Sequence, residues 1–452
     1  MLKILSAPSE SDDGFPGGFI DSGTLLPDIS GLISFTTNLL DKTVKVTKAE
    51  NCAIIDADGK KYLDAFSASG GVSVGHSNPF VNEAAHRQID LFSSSSKLYQ
   101  TKSVEKFQIA IQKYLPKNVN KYHYLNSGSE AVDFSCQALR AYTGKKIIIS
   151  FSESCHGSTH IAKSISGLEN FQNPSFKDPD VFFYKVKTCR NCPEKIYKKA
   201  AQRIPGLEIE CIINCIKSIE DFLEKNRINC AGIVIETIMP NGGMIIPSKG
   251  FFSRLNSICS KWNLPIVVSE VNSGNGRCGK DLFAFEEFGI KPSMVCLGNS
   301  ITNGFPFGVT IATQEISDSI SDIKSFLYSG GNPVSCAAAT ATLNYIENNN
   351  LLKKAKFVGE FIQEELEKRL QCFQAFVDVR GKGLMIGVET ESSEFTEKII
   401  EFARRNFLLI GIGGRSRNVI RIEPPLTFSA KMANTLISIL ESGFKQFSHT
   451  KN

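Results

Sequence analysis

The chain lacks long runs of any one kind of residue. No stretch of its 452 residues approaches the ~20 consecutive apolar residues that a membrane-spanning helix needs, so we expect no membrane partner. Lysine and arginine number 51 against 46 aspartate and glutamate, and they form no long basic run. That balance argues against nucleic acid as a partner. The mostly apolar segment Leu2–Leu5 is too short for the core of a secretory signal, so we expect no signal peptide.

Cysteine is present, but not in the pattern of a disulfide framework. The thirteen cysteines are odd in number and scattered through apolar segments, which is typical of a reducing compartment, and we expect a cytoplasmic protein. Internal repeats and low-complexity segments are also absent. The composition, 42% hydrophobic and 21% charged, is ordinary for a globular protein. Because a single core rarely grows past ~250–300 residues, we expect two domains.

Short apolar segments alternate with amphipathic ones through the centre of the chain. The predicted strands are 146–151, 231–236, 264–269 and 294–297, and the predicted helices among them include 131–142 and 251–262. This alternation predicts a mainly parallel sheet with helices on both faces. Residues 44–67 predict a hairpin around the turn Asp56–Gly59. Helical spacing covers 81–115, 337–348, 351–370 and 431–447, and a strand pattern covers 377–389.

Seven motifs follow one another in the order of a known family. They are Asn126–Ala131, Cys155–Gly157, Val267–Val271, Gly274–Gly279, Lys291–Gly308, Gly330–Pro333 and Val419–Leu426. Together they resemble the class III aminotransferases, which are pyridoxal-phosphate enzymes of fold type I. The resemblance runs from about Val44 to about Leu440 and so covers most of the chain.

The resemblance implies an α/β protein of fold type I. A large domain over 75–345 would carry the mainly parallel sheet, and a smaller α+β domain would be built from 44–74 and 346–452, with an N-terminal arm over 1–43. It also implies pyridoxal phosphate as the cofactor and a cleft between two subunits. We therefore expect a homodimer, or a heterodimer with an active relative, with Ser67–His76 and Phe326–Pro333 at the interface.

Three residues directly before a predicted helix are suited to bind an anion. Ser127, Gly128 and Ser129 precede the helix directly, so backbone N–H groups and the positive end of the helix dipole point at whatever approaches. The alternative is an N-capping serine in a tight turn. In the family this loop holds the cofactor phosphate, and the resemblance also implies that Ser329 reaches the phosphate of the neighbouring subunit.

The chain departs from the family where the cofactor ring would be held. Asn299 stands where the family has the lysine that binds the cofactor as a Schiff base, so covalent binding is not expected. Ser269 replaces the aspartate that keeps the ring nitrogen protonated, and a hydroxyl supplies no charge for this. Cys155 replaces the aromatic residue that stacks on the ring. Val271 and His156 match the family, although His156 could equally be a capping or packed histidine.

Arg421 matches the family arginine that binds a substrate carboxylate. The guanidinium group suits that role because it can form two parallel hydrogen bonds to a carboxylate. The alternative is an arginine at a strand end that pairs with Glu423 or Asp378.

Four cysteines have a spacing close to that of a zinc ribbon. Cys189 and Cys192 form a C-x₂-C pair, and Cys211 and Cys215 follow on one face of a predicted helix. Some class III members bind an iron–sulfur cluster through such a pair. The alternative is that these cysteines are simply buried.

Three functions are consistent with these residues. The first, which we favour, is a catalytically inactive homologue that binds or regulates a partner. The second is an enzyme of altered chemistry that holds pyridoxamine phosphate, pyridoxal phosphate or another small anionic ligand non-covalently, although an amide at position 299 is a poor general base. The third is a transaminase of an amino or carboxylate substrate.

Overall fold

The computed structural model describes residues 43–451 except 97, 99, 169–176, 187–206, 249 and 321–329, and for 207–214 it describes the backbone only. The chain divides into two compact units, 1–46 and 47–452, and only 43–46 of the first lie among the described residues. The predicted N-terminal arm therefore lies almost wholly outside the described residues. Within the described part, no helix combines the length and the apolar character that crossing a membrane requires.

The described residues contain fifteen strands. They are β1 Val46–Glu50, β2 Ala53–Asp56, β3 Lys61–Asp64, β4 Val119–Leu125, β5 Ile147–Phe151, β6 Val181–Tyr184, β7 Cys230–Ile235, β8 Ile266–Ser269, β9 Met294–Leu297, β10 Gly308–Thr313, β11 Phe376–Lys382, β12 Met385–Thr390, β13 Leu408–Leu409, β14 Gly411–Gly413 and β15 Val419–Ile422.

Helices connect these strands. They are α1 Pro79–Leu91, α2 Lys102–Gln112, α3 Gly128–Thr143, α4 His160–Ser164, α5 Leu207–Asn226, α6 Phe251–Lys261, α7 Ala284–Glu287, α8 Gln314–Ser319, α9 Pro333–Asn348, α10 Leu351–Leu370, α11 Ser393–Arg405 and α12 Ala430–Phe447. A 3-10 turn spans Asn299–Thr302, and Ser67–Gly70 form one turn in which every residue has a positive φ.

Seven strands form the central sheet, in the order β4-β10-β9-β8-β7-β5-β6. Among the described strands of this sheet, only β10 is antiparallel to its neighbours, so the prediction of a mainly parallel sheet is confirmed. Every residue of β7, β8, β9 and β10 is buried, because both faces of the sheet are covered. Successive residues of each strand point to opposite faces of the sheet. On one face a core cluster contains Ile148, Val234 and Val267. On the other face a second cluster contains Ile149, Ile233 and Val268.

Two smaller sheets are present, and the first of them joins residues from both ends of the described chain. One has the order β1-β2-β3-β13, and the other β11-β12-β15-β14. The predicted hairpin is present as β2 and β3, and Asp56 closes its turn by accepting hydrogen bonds from the N–H groups of Asp58 and Lys60, at 3.0 and 2.8 Å. The strand β13 pairs in parallel with β3 and so joins the late part of the chain to this hairpin. The domain boundaries 44–74, 75–345 and 346–452 stay predictions.

The direction of the central strands decides where a site can lie. Strands β4, β5, β7, β8 and β9 all point the same way, so their carboxyl ends meet at one edge of the sheet. Ligands of open α/β sheets bind at this edge. The loop after β4 approaches β10 so closely that a Cβ on Gly308 would lie 2.1 Å from the carbonyl oxygen of Ser127, which requires glycine there.

Candidate active site

The start of α3 offers two unused backbone donors. The Ser127 hydroxyl accepts a hydrogen bond from the Glu130 N–H at 3.1 Å, and the Glu130 carboxylate accepts one from the Asn126 N–H at 2.8 Å. The N–H groups of Gly128 and Ser129, the first two of the helix, have no acceptor among the described residues. A sixteen-residue helix with free donors at its positive end is suited to hold an anion.

Val271 packs the ends of three strands together. A Cβ on Gly128, after β4, would lie 2.7 Å from its Cγ1, and a Cβ on Gly298, after β9, would lie 2.8 Å from the same atom. Only glycine allows both backbones to approach this side chain, which itself follows β8. The loop after β5 also contacts the start of α3, because the Ser129 hydroxyl accepts a hydrogen bond from the Ser158 N–H at 3.1 Å.

Asn299 opens the 3-10 turn that follows β9. Its side chain is exposed, although Gly298 and Ser300 on either side are buried. The side-chain nitrogen lies 3.2 Å from the place that a Cβ on Gly71 would occupy. Its backbone carbonyl accepts hydrogen bonds from the Thr302 hydroxyl and the Gly304 N–H, at 2.8 and 3.0 Å. The backbone of the turn is thus fixed, while the side chain at 299 is accessible.

Ser269 is the last residue of β8, Glu270 follows it, and the two side chains have different surroundings. Ser269 is buried, and its hydroxyl has no hydrogen-bond partner in the described part of the chain. Glu270 accepts hydrogen bonds from the Ser273 hydroxyl at 2.8 Å and from the N–H groups of Ala284 and Phe285 at 3.2 and 2.7 Å. Burial raises the pKa of Glu270 to about 7, and these hydrogen bonds oppose the rise. The Glu270 carboxylate is therefore held by N–H groups at the start of α7, and it is not available for the role predicted at position 269.

Cys155 and His156 lie in the loop after β5. The Cys155 N–H donates to the Glu236 carboxylate at 2.9 Å, and burial raises the pKa of its half-buried thiol to about 12. His156 is buried, with Nε2 3.2 Å from the Ser150 hydroxyl, and burial lowers its pKa to about 3. His156 is thus a packed, neutral histidine.

Sequence reasoning missed Glu236 and Asn272. Glu236 directly follows β7 and is 1% exposed. Its carboxylate accepts hydrogen bonds from the Cys155 N–H and from the Asn272 side chain, both at 2.9 Å. Burial raises the pKa of Glu236 to about 7 against the effect of these bonds. An acidic residue at the carboxyl end of a fully apolar strand is the signal that could have identified it.

Arg421 lies in β15, and both of its terminal nitrogens have partners within the chain, whereas its buried Nε has none among the described residues. Its Nη2 lies 2.6 Å from the Glu423 carboxylate, and its Nη1 donates to the Asn241 side chain at 2.8 Å. The pairing with Glu423 was one of the sequence alternatives. The other, with Asp378, is not formed, because Asp378 pairs with Arg380 at 3.0 Å.

Several predicted residues cannot be placed. Ser329, Cys189 and Cys192 lie outside the described residues, and Cys211 is described only as backbone within α5. Cys215, on the same helix, is buried and not in a disulfide. In the described ranges, no three histidine, cysteine, aspartate or glutamate side chains come together as a metal site would require. The proposed cysteine site therefore stays a prediction.

Comparison with known proteins extends over nearly the whole chain. The family model for aminotransferase class-III matches residues 36–444. A 4-aminobutyrate aminotransferase of Mycobacterium leprae is 31% identical over 88% of this chain and 90% of its own length. An alanine/serine racemase of Pyrococcus horikoshii is 31% identical over 87% of this chain and 84% of its own.

Solved structures show the same fold. An (S)-enantioselective omega-transaminase from Thermomicrobium roseum has a TM-score of 0.83 at 23% identity, covering 92% of this chain and 96% of its own. An amine transaminase from an uncultivated Pseudomonas species, in its pyridoxal-phosphate-bound form, has a TM-score of 0.81 at 24% identity, covering 97% and 99%. The predicted fold type I architecture is confirmed, and the chain belongs to the class III aminotransferases.

Proposed function

We propose that this chain is a class III aminotransferase homologue that does not catalyse transamination and acts by binding a ligand or a partner. The observation that supports the proposal is Asn299, whose side chain is exposed at the carboxyl edge of the sheet and which the resemblance of the surrounding motif matches to the family lysine. A carboxamide nitrogen has no basic lone pair, so it cannot form the covalent link to the cofactor that a lysine amine forms.

Neither nearby lysine is a replacement. Lys291 is exposed and precedes β9, whereas Asn299 follows it, and the four residues of β9 alone span about 13 Å at ~3.3 Å per residue, beyond the reach of one side chain. The Lys280 amine lies 3.7 Å from the Asp281 carboxylate and is exposed. We therefore propose neither lysine as a replacement for the family lysine.

The residues present fit the phosphate group of pyridoxal phosphate better than its ring. The free N–H groups of Gly128 and Ser129 would hold its phosphate, and Val271 would lie beside its ring. When bound, the cofactor supplies an aldehyde and a ring that accepts electrons. Ser269 offers the ring nitrogen a hydroxyl but no charge, and the small Cys155 replaces an aromatic surface. These residues support non-covalent binding and do not support the covalent form.

A second function is favoured by Glu236. Its pKa, raised by burial to about 7, allows this carboxyl group to gain or lose a proton near neutral pH. It lies beside Cys155 at the edge of the sheet where a ligand would bind. An enzyme of altered chemistry that binds pyridoxamine or pyridoxal phosphate non-covalently would have its acid or base here.

We expect the purified protein to form no covalent adduct with pyridoxal phosphate. Absorbance spectra with and without added cofactor should show no band of a lysine adduct, and borohydride treatment followed by peptide mass analysis should leave every lysine unmodified. A reduced adduct on any lysine would refute the proposal. Free phosphate can compete for the same loop, so the spectra should be recorded in a phosphate-free buffer.

We further propose a dimer, as is typical of this family. Large apolar side chains on or near α1 and α2 are uncovered, since Leu91, Leu98 and Ile109 are 80%, 89% and 76% exposed. Such groups would mark an association surface if they formed one contiguous patch. Of the predicted interface, Ser67–His76 is described and Phe326–Ser329 is not. Light scattering at micromolar concentration should give twice the chain mass of 49.7 kDa, and a monodisperse monomer would contradict the proposal.

A further inference from the structure

The amino ends of four neighbouring strands of the central sheet carry only positive charge. Strands β9, β8, β7 and β5 are adjacent and parallel, so their amino ends meet at the edge opposite the candidate active site. The five residues directly before each of these strands include no aspartate or glutamate, but six lysines or arginines in all. These six cations, which we call the amino-edge row, are Lys145 and Lys146 before β5, Lys225 and Arg227 before β7, Lys261 before β8 and Lys291 before β9.

The fold brings the amino-edge row together from four separate segments. The Asn229 carbonyl, directly before β7, accepts a hydrogen bond from the Lys146 N–H at 3.1 Å, and the Lys145 ammonium donates to the Arg227 carbonyl at 3.0 Å. Neighbouring strands lie about 4.8 Å apart, so the four amino ends extend over about 14 Å. The sequence therefore has no long basic run, although the folded surface has a row of cations.

None of the six cations forms an ion pair within the described part of the chain. Five of them are exposed and the sixth is half-buried. Lys225 and Lys261 lie in the last turns of α5 and α6, where a cation interacts favourably with the helix dipole. Lys146, Arg227 and Lys291 lie outside the helices, so stabilisation of a helix end does not account for them.

Acidic groups are present beyond both ends of the row. On the side of β5, Asp178 and Asp180 precede β6, and Asp178 pairs with Arg140. On the side of β9, Glu315 lies in the first turn of α8, which follows β10. Glu315 and Lys291 both line a surface cavity of about 320 Å³. The positive surface is therefore limited to the width of four strands.

Trp262 and Ile228 lie among these cations. The Arg227 guanidinium carbon is 4.8 Å from the centroid of the Trp262 ring, and the Lys261 ammonium is 4.6 Å from it. Both cations are thus held beside one ring, and an anion between them would reduce their repulsion. Ile228, next to Arg227, is 77% exposed and offers an apolar contact to the same ligand.

The surroundings of the row distinguish between three kinds of polyanion. Single-stranded nucleic acid binds through bases that stack on aromatic rings, but the Trp262 ring is already in contact with Arg227 and Lys261. A membrane surface requires a broad apolar face, whereas only Ile228 and Tyr142 are large, apolar and exposed in the segments that precede these four strands. An acidic polypeptide requires neither feature.

We propose that the amino-edge row binds an extended acidic segment of a partner protein. At ~3.3 Å per residue, four or five residues cover the ~14 Å of the row. Carboxylates of the segment contact the six cations, and an apolar side chain of the segment covers Ile228. The proposal rests on the proposed function only in that this chain binds a partner, because the row lies at the opposite edge of the sheet from Ser127–Ser129 and Asn299.

Trp262 reports binding directly, because it is the only tryptophan of the chain and contacts two cations of the row. An acetylated hexapeptide of five acidic residues and one leucine is titrated into the purified wild type without cofactor. The emission of Trp262 should change until the site is saturated. An analogue with Asn and Gln in place of Asp and Glu should cause no change. Raising the salt concentration from about 50 to about 500 mM should weaken binding of the acidic peptide, because salt screens exposed charges.

The triple variant Lys146→Glu, Lys225→Glu and Lys291→Glu leaves both cations beside Trp262 in place. It should bind the acidic peptide at least about tenfold more weakly, because three exposed ion pairs are lost and repulsive contacts replace them. A folded triple variant with unchanged affinity would contradict the proposal.

Lys353→Glu, Lys431→Glu and Lys445→Glu together are the matched control. They make the same change in net charge at three exposed lysines of α10 and α12. Lys445 lies in the last turn of its helix, as Lys225 does. This control should bind the acidic peptide as tightly as the wild type does.

The wild type alone decides the question if the triple variant does not fold. An acidic peptide that leaves Trp262 emission unchanged up to millimolar concentration would overturn the proposal, and so would equal binding of the amide analogue. Anionic lipid vesicles and a single-stranded oligothymidine are titrated in parallel. Tighter binding of either one than of the peptide would assign the row to a membrane or to nucleic acid instead. None of these titrations involves pyridoxal phosphate, so they fail independently of the borohydride experiment.

Discussion

The double substitution Asn299→Lys and Ser269→Asp is expected to give a chain that binds pyridoxal phosphate covalently. The lysine amine provides the nucleophile that the amide lacks. The new carboxylate at the end of β8 would keep the ring nitrogen protonated. The N–H groups of Gly128 and Ser129 are unaffected by either change. A new absorbance band near the visible edge and a borohydride-stable adduct at position 299 would confirm the expectation.

Further variants separate the effect of the lysine at position 299 from that of the carboxylate at position 269 and from that of a lysine elsewhere on the surface. Asn299→Lys alone should form the adduct in a smaller fraction of chains, because the ring nitrogen still lacks a carboxylate. Asn120→Lys adds a lysine at an exposed position of β4 and should form none. Ser269 is buried, so its change to aspartate should lower the melting temperature until cofactor is added. A folded double variant that takes up no cofactor would show that the site has changed beyond these two residues.

The parts of the fold that local pattern determines were predictable. Strand β9 has the predicted bounds, and α3 begins three residues before its predicted start because the Ser127 hydroxyl caps it. The region 81–115 is two helices, α1 and α2, since the apolar spacing did not reveal the break between them. Strand β10 was not predicted, because it follows a turn rich in glycine and proline.

The site was less predictable where it depends on contacts between distant segments. The loop Ser127–Ser129 could be found because its donors follow from the start of a helix. The packing of Val271 against Gly128 and Gly298 could not, because it requires the order of β4, β8 and β9 in the sheet. For Arg421 the sequence left two partners open, and only side-chain positions distinguish Glu423 from Asp378.

Inorganic phosphate is expected to raise the melting temperature of the wild type through the start of α3, and Ser127→Asp is expected to abolish that rise. A ligand that binds only the folded state stabilises it by about 2.7 kcal/mol at a concentration 100 times its Kd. Aspartate caps a helix as well as serine does, so the variant keeps the bond to the Glu130 N–H. Its charge would repel an anion about 4 Å away by about 4 kcal/mol at an effective dielectric near 20, roughly a thousandfold in Kd.

Ser392→Asp is the matched control, because Ser392 caps α11 with the same geometry. Its hydroxyl accepts from the Phe395 N–H at 3.1 Å, as that of Ser127 accepts from Glu130. The two caps differ in place, since only Ser127 lies at the carboxyl edge of the central sheet beside Val271. Ser392→Asp should therefore keep the full phosphate shift, and 1 M salt should reduce that shift because screening weakens an exposed electrostatic site. Equal stabilisation of Ser127→Asp and Ser392→Asp by phosphate would place the anion elsewhere and leave Ser127–Ser129 as a capped turn.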